Sequence, residues 1–365
     1  RHGDTRREGK EYSVDFGYSM ESHVRGESAA EIHDAYREFF TQVQICEDGG
    51  MDFLWISEHH FNPDRSFGSA SMVVAGAIAA KTERIKIGSS IIVLPTHNPL
   101  HVAEEVANMD HISNGRFEFG VGRSGGVGGY KGFNMDYGES QPRFAECLEI
   151  VKLALENERF SYKGEYYEFN DVPMFPRPYT TPYPKIRWAV NSNSTFEMAG
   201  EMGLPIFCGV LQLTVEQLSE LLANYDAARA KAGFTGPRDA ELRIPIYVSD
   251  TMDDALKTPM EGFTRRYSSA SEILQRMVAS GQANYMAERT ERIDSLGNLD
   301  WEGVYSSEKA IVGTPDVVID KIKEIGDALQ LSGMVLEFNA GERMSEAKIN
   351  RSLELFCEKV LPAFN

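Results

Sequence analysis

Ser57-Glu58-His59-His60-Phe61 sets a carboxylate and two imidazoles side by side, directly after the apolar run Phe53–Ile56. Imidazole changes charge near neutral pH, so a histidine placed here can act as a base, an acid or a hydrogen-bond donor. His97, His101 and Asp110 could add metal ligands, but together they form no recognised ligand spacing such as HExxH. A loop histidine that only caps or packs is the plainer alternative.

Two further segments suit an anion. Gly115-Arg116-Phe117-Glu118-Phe119-Gly120-Val121-Gly122-Arg123-Ser124-Gly125-Gly126 reads as a strand running into a glycine-rich loop. Such a loop exposes backbone N–H groups, and Arg123 adds a bidentate donor that matches phosphate. Val190-Asn191-Ser192-Asn193-Ser194-Thr195 joins a strand to a helix start, where free N–H groups and hydroxyls also attract anions. Ser, Thr and Asn are equally the preferred helix caps, so capping alone explains this segment when it is taken singly. In Gly88-Ser89-Ser90-Ile91-Ile92, small residues would let a flat ligand approach the backbone.

These segments need a frame, and the alternation of strand and helix signals supplies one. Strands are expected at Val14–Tyr18, Phe53–Ile56, Ile85–Leu94 (interrupted by Gly88-Ser89-Ser90), Phe117–Val121, Ile186–Val190, Ile206–Val210, Ile244–Val248 and Met334–Phe338. Helices are expected between them, such as Glu31–Gly49 (stopped by Gly49-Gly50), Leu100–Ser113, Pro142–Asn157 and Asp253–Ser280, with Ser345–Leu361 closing the chain. Eight alternations without a break in composition predict an α/β fold, a single (β/α)8 TIM barrel over residues 13–365 preceded by a polar tail, 1–12. Phe160–Pro184, rich in Pro and Tyr, reads as an insertion after helix 4. Gly281–Lys309, long and polar, reads as a lid loop after the seventh strand-helix unit. No GxGxxG follows the first strand, which weakens the case for a doubly wound sheet. In a barrel the polar residues after each strand share one destination, the C-terminal mouth.

Composition narrows the function classes. The net charge of -18 argues against gripping nucleic acid or an anionic membrane surface. No run of apolar residues is long enough for a transmembrane helix, and Arg1–Lys10 has no apolar core of a secretory signal. Four scattered cysteines, Cys46, Cys147, Cys208 and Cys357, suggest buried free thiols in a reducing, cytoplasmic compartment.

Taken in order, Ser57-Glu58-His59-His60-Phe61, Ile92-Val93-Leu94-Pro95-Thr96, Asn114-Gly115-Arg116-Phe117, Glu201-Met202-Gly203-Leu204-Pro205 and Val312-Gly313-Thr314-Pro315 make the chain resemble the bacterial luciferase family of flavin-dependent monooxygenases, from about Val14 to Phe364. The resemblance implies a two-component enzyme that takes reduced FMN (FMNH2) from a separate flavin reductase and O2 from solution. It would form a C4a-peroxyflavin and oxygenate a small organic substrate such as an aldehyde or ketone. Arg123, Ser192 and Thr195 match residues that hold the FMN phosphate, joined by the backbone at Asn191. Ser90–Ile91 matches a strand end with a non-proline cis peptide that lies against the flavin ring. His59 matches the histidine needed for turnover, and no metal is implied. Gly122 stands where luciferase has a reactive cysteine, which points away from bioluminescence. A homodimer through early helices, including the small-residue stretch Ser69–Ala80, is also implied. Three other readings stand beside this one: an F420-dependent oxidoreductase of the same superfamily, a flavin-binding protein without catalysis, and a metal-dependent barrel hydrolase using Glu58, His59 and His60.

Overall fold

Strands with apolar residues on both faces need cover on both sides, and a parallel barrel ringed by helices provides it. The computed structural model describes residues 14–21, 28–62, 66, 68–124, 127–279, 296–341 and 344–365. Its strands are β1 (Asp15–Met20), β2 (Phe53–Ile56), β3 (Lys86–Ser89), β4 (Ile92–Val93), β5 (Phe117–Gly122), β6 (Arg159–Lys163), β7 (Glu168–Pro173), β8 (Ile186–Ala189), β9 (Ile206–Gly209), β10 (Ala240–Val248), β11 (Ile311–Gly313) and β12 (Gly333–Glu337). Eight of them close a parallel barrel in the order β1-β2-β3-β5-β8-β9-β10-β12 and back to β1. The fold is the expected (β/α)8 barrel. β4 extends the third barrel strand alongside β5, and β11 pairs with the far end of β10.

The first helix illustrates how sequence sets the elements. Ala29–Gly49 (α1) starts at a capping box in which Ser28 and Glu31 exchange hydrogen bonds, and it ends at Gly50, whose φ of 87° is left-handed. The helices that matter for the mouth are α2 (Ser71–Ala79), α3 (Pro99–Ile112), α4 (Val127–Gly132), α5 (Ser140–Glu156) and α6 (Asn193–Glu201). The insertion after α5 is a two-stranded antiparallel hairpin, β6–β7. It is tied down by buried carboxylates: Glu146 accepts from the backbone N–H of Tyr166 and Tyr167, and Asp110 accepts from Thr180 N (2.6 Å) and Oγ1 (2.9 Å).

Inside the barrel Phe53, Trp55, Phe207 and Val335 form their own apolar cluster. Trp55 stacks on Phe53 at 4.8 Å and meets Phe207 edge-on at 4.7 Å. The indole fills space that neighbouring strands leave free: a Cβ on Gly88 would stand 1.9 Å from its ring, and one on Gly17 2.5 Å. Trp55 thus plugs the barrel beneath the mouth.

Several elements differ from expectation. The strand expected over Ile85–Leu94 is interrupted after Ser89, within the expected Gly88-Ser89-Ser90 break, but it stops at Val93, and Leu94–Thr96 is a turn of 3-10 helix. The helix expected over Asp253–Ser280 is two, Met252–Lys257 and Met260–Ala279, because Pro259 lacks the N–H to continue the first. The closing helix runs Glu346–Leu355 and finishes in a π turn and a 3-10 turn. Of the expected lid, 281–295 lies outside the described residues, but Trp301–Ser306 within it is helical, capped by Asp300. The polar tail, 1–12, also lies outside them. All four cysteines are buried and free.

Candidate active site

The barrel order divides the mouth into two arcs. The ends of β3, β5 and β8 carry the residues expected to meet a cofactor. The ends of β12, β1 and β2 form the arc that runs on from β3, and the loop after β2 carries His59.

On the first arc, Ser90–Ile91 is a non-proline cis peptide, at the position expected. Space around it is tight. A Cβ on Gly122 would fall 2.4 Å from the Ile91 side chain, and one on Gly120 1.8 Å from the Ser89 carbonyl oxygen. Glycine at 122 therefore leaves a cradle beside Ile91 that any side chain would fill, cysteine included. Arg123 is half-buried, and its carbonyl oxygen accepts from the Tyr130 hydroxyl at 2.6 Å. Arg123 and Thr195 line one cavity of about 310 Å3, which continues as an apolar groove between α5 and α6 over Phe144, Trp188 and Met198.

The start of α6 shows the capping chemistry that its composition allowed. Thr195 Oγ1 accepts from Asn191 N (3.3 Å) and Ser192 N (3.1 Å), shares a hydrogen bond with Ser192 Oγ (3.1 Å), and donates to the Ser192 carbonyl oxygen. The structure brings Arg123 and Thr195 to one cavity. Ser192 sits beside Thr195 but does not line that cavity, and Asn191 is exposed.

On the second arc, His59 is half-buried with Nε2 3.8 Å from a Glu21 carboxylate oxygen. Glu21 also pairs with Arg243, which reaches Glu337, and Glu337 accepts from Arg266 at 2.7 Å. Sequence reasoning missed Glu21, Arg243, Glu337 and Arg266. For Glu21, Arg243 and Glu337 the signal was a charge at an inward-facing position of a parallel strand or just past its end, where apolar residues are the rule; Arg266 reaches Glu337 from the helix Met260–Ala279 and had no such signal.

His60 turns away from His59. Glu58 Oε1, almost fully buried, lies 3.0 Å from His60 Nε2 and 2.9 Å from His97 Nε2, and it accepts from Val93 N at 3.3 Å. Burial opposes ionisation of Glu58, but the two imidazoles outweigh it and lower its pKa. Burial likewise works against the His97 cation, yet Glu58 raises the His97 pKa above its ordinary value. Glu58, His60 and His97 form a clasp that ties the end of β2 to the loop after β4 and so fixes His59 and Ile91 relative to each other. These three could also present ligand atoms to a cation. Of the metal candidates read from the sequence, His59 faces Glu21 instead, and Asp110 is engaged by Thr180.

A family model described as luciferase-like monooxygenase matches residues 14–330, and the chain belongs to that family. It is 26% identical to limonene 1,2-monooxygenase of Rhodococcus erythropolis over 96% of this chain and 87% of that protein. It is also 26% identical to the alkanal monooxygenase alpha chain of Photobacterium leiognathi, over 91% and 94%. Among solved structures, the oxygenating constituent of 3,6-diketocamphane monooxygenase from Pseudomonas putida, in complex with FMN, superposes with a TM-score of 0.77 at 21% identity, covering 96% of this chain and 98% of that one. An F420-dependent secondary alcohol dehydrogenase superposes at 0.73 with 16% identity, over 97% and 99%, so the barrel is shared across the two cofactor classes.

Proposed function

We propose that this protein is the oxygenase component of a two-component flavin monooxygenase, taking FMNH2 from a separate reductase and using O2 to oxygenate a small organic substrate. The observation that carries this reading is the single cavity lined by both Arg123 and Thr195, next to the Gly122 cradle and the Ser90–Ile91 turn. A guanidinium, hydroxyls and the first N–H groups of a helix form a donor set suited to a phosphate dianion. A strand end stripped of side chains suits a flat ring. Bound reduced flavin would supply the activation of O2.

The chain's own groups then have separable tasks. Arg123 neutralises the phosphate, with Thr195, Ser192 and the Asn191 backbone completing its hydrogen bonds. Ser90, Ile91 and Gly122 seat the ring. The Trp55 plug closes the barrel from below and keeps water from the reacting face. His59, held by Glu21, exchanges a proton with the substrate at its imidazole Nε2. Relatives named for limonene and alkanal oxygenation support a small apolar or carbonyl substrate. Among the described residues no helix is long and apolar enough to cross a membrane. Val73, exposed on the small-residue face of α2, suits a homodimer through that helix.

Anaerobic titration tests the reading directly. FMNH2 should bind, F420 should not, and O2 should then be consumed. Arg123→Ala should weaken FMNH2 binding by about 2–3 kcal/mol, roughly 30- to 150-fold, with the fold intact. F420 bound in preference to FMNH2, or an Arg123→Ala protein with undiminished affinity, would overturn it.

A further inference from the structure

Buried polar atoms almost always find partners, so a group of them without any asks for an explanation. Between the ends of β1 and β12 lies a small cavity of about 10 Å3 lined by Tyr18, Ser19, Glu21, Glu337, Asn339 and Ala340. Three oxygens of its wall, Ser19 Oγ, Glu337 Oε2 and Asn339 Oδ1, are buried and have no hydrogen-bond partner. Ser19 and Glu337 are nearly inaccessible, at 3% and 4% exposure. Glu337 is held in place from its other oxygen by Arg243 and Arg266. Backbone registry explains the convergence. Gly17, Ser19 and Glu21 alternate inward along β1, and Gly333, Val335 and Glu337 do so along β12. The cavity is therefore a built feature of the barrel interior at its mouth.

Its size and chemistry narrow what could enter. About 10 Å3 admits one oxygen-sized group. Its unmatched wall atoms are acceptors, or in Ser19 a group that can accept, so the entering group must donate. In barrel order the cavity lies diametrically across from β5 and β8, where the flavin phosphate is placed. We propose that this cavity is the socket for a hydroxyl of the substrate, set apart from the atom that is oxygenated, so that the natural substrate is a hydroxylated carbonyl compound and not a plain aliphatic aldehyde. This rests on the reading of the mouth as the site of oxygenation. Ser19, Asn339 and Glu337 are then specificity determinants, and Arg243 and Arg266 position Glu337. A site built to hydrogen-bond a hydroxyl rejects the analogue that lacks it, because its buried acceptors stay unmatched.

The test pairs binding with stability in the full chain. Benzaldehyde, 3-hydroxybenzaldehyde, 4-hydroxybenzaldehyde and decanal are each titrated by calorimetry into the flavin-free protein, with FMNH2 binding measured separately. At least one hydroxylated aldehyde should bind about tenfold or more tighter than benzaldehyde and decanal. Ser19→Ala should collapse that preference toward parity. It should also leave FMNH2 affinity unchanged and raise the Tm by about 2 °C, since it removes a buried hydroxyl that bonds to nothing. Asn339→Leu, which fills the cavity, should abolish the preference as well. A merely structural serine would lower the Tm and leave the preference alone. Equal binding of all four probes, or a preference that survives both substitutions, would overturn the socket. Loss of FMNH2 binding in the unaltered protein would instead overturn the flavin reading and leave the socket standing or falling on the aldehydes.

Discussion

At each end of the barrel an arginine is gathered among carboxylates, and the two gatherings differ in how completely they close. At the N-terminal end Arg187 is fully buried, with Asp239 at 2.7 Å, Glu241 at 3.1 Å and Glu118 at 3.4 Å. Lys185 bridges Asp239 and Glu118, and Ser332 donates to Asp239. Burial, helped by the neighbouring carboxylates, pushes Glu241 up to about 8 against the pull of Arg187. Near neutral pH Glu241 is therefore largely a neutral acid, which lightens the negative charge that Arg187 and Lys185 have to offset. At the mouth Arg243 reaches Glu21 and Glu337, and Arg266 reaches Glu337. Here Arg243 Nε, Arg266 Nε and Glu337 Oε2 have no partner, as do Ser19 Oγ and Asn339 Oδ1 nearby, whereas among the described arginine, lysine and carboxylate groups of the other gathering Arg187 Nε alone lacks one. The closed end spends its polar groups on one another. The open end leaves several unmatched beside a cavity, as expected of the barrel face that binds ligands.

The contrast is most exposed to removal of each arginine. Arg187→Met leaves Asp239, Glu118 and the buried Glu241 with Lys185 as their remaining cation, and should cost about 3–5 kcal/mol in a urea unfolding experiment. Arg243→Met still leaves Arg266 to Glu337 and His59 beside Glu21, and Arg243 itself is 22% exposed. The expected cost is smaller, about 1–3 kcal/mol, with FMNH2 affinity retained because Arg123 lies on the other arc. Equal losses would mean that the mouth is sealed as tightly as the bottom, and that its unmatched atoms are not awaiting a ligand.

What the sequence disclosed follows the same division. The barrel was legible because each strand is short and apolar and each helix carries its own start and stop, as Ser28, Glu31 and Gly50 do for α1. His59, Arg123 and Thr195 could be picked out as candidates because each lies in the stretch between a strand and the first turn of the next helix, the end of the unit that forms a barrel's mouth. Their partners could not. Glu21 meets His59 across 38 positions, and Glu58 meets His97 across 39; local spacing carries no trace of such pairings. Arg187 was passed over because it lies inside a strand read only as an apolar run, and Glu241 and Arg243 because that strand was expected to begin at Ile244, whereas β10 begins at Ala240. Inward parity, with Glu241 and Arg243 two residues apart on one face of β10, was the missed clue. Gly281–Lys309 was read as irregular because its polar composition hides the short amphipathic turn Trp301–Ser306.

The finest probe of the comparison is the proton on Glu241. Its carboxyl is raised from an ordinary value near 4.3 in the unfolded chain to about 8 in the fold. Between those values the folded protein holds a proton that the unfolded chain has lost, so this group makes stability fall as pH rises across that window; below about 4.3 both states are protonated and the dependence vanishes. Glu241→Gln keeps the shape and a neutral amide in place of the neutral acid, so it should remove the dependence. Measured by urea midpoints at pH 5 and pH 8, the variant should gain on the parent by about 1 kcal/mol at the higher pH. The gain is modest because relaxation and water penetration offset part of the cost of burying the charge. A gap that stays the same at both pH values would mean that Glu241 is ionised in the fold. The bottom of the barrel would then carry three carboxylates against two cations, and it would be less balanced than the mouth, where two arginines meet two glutamates.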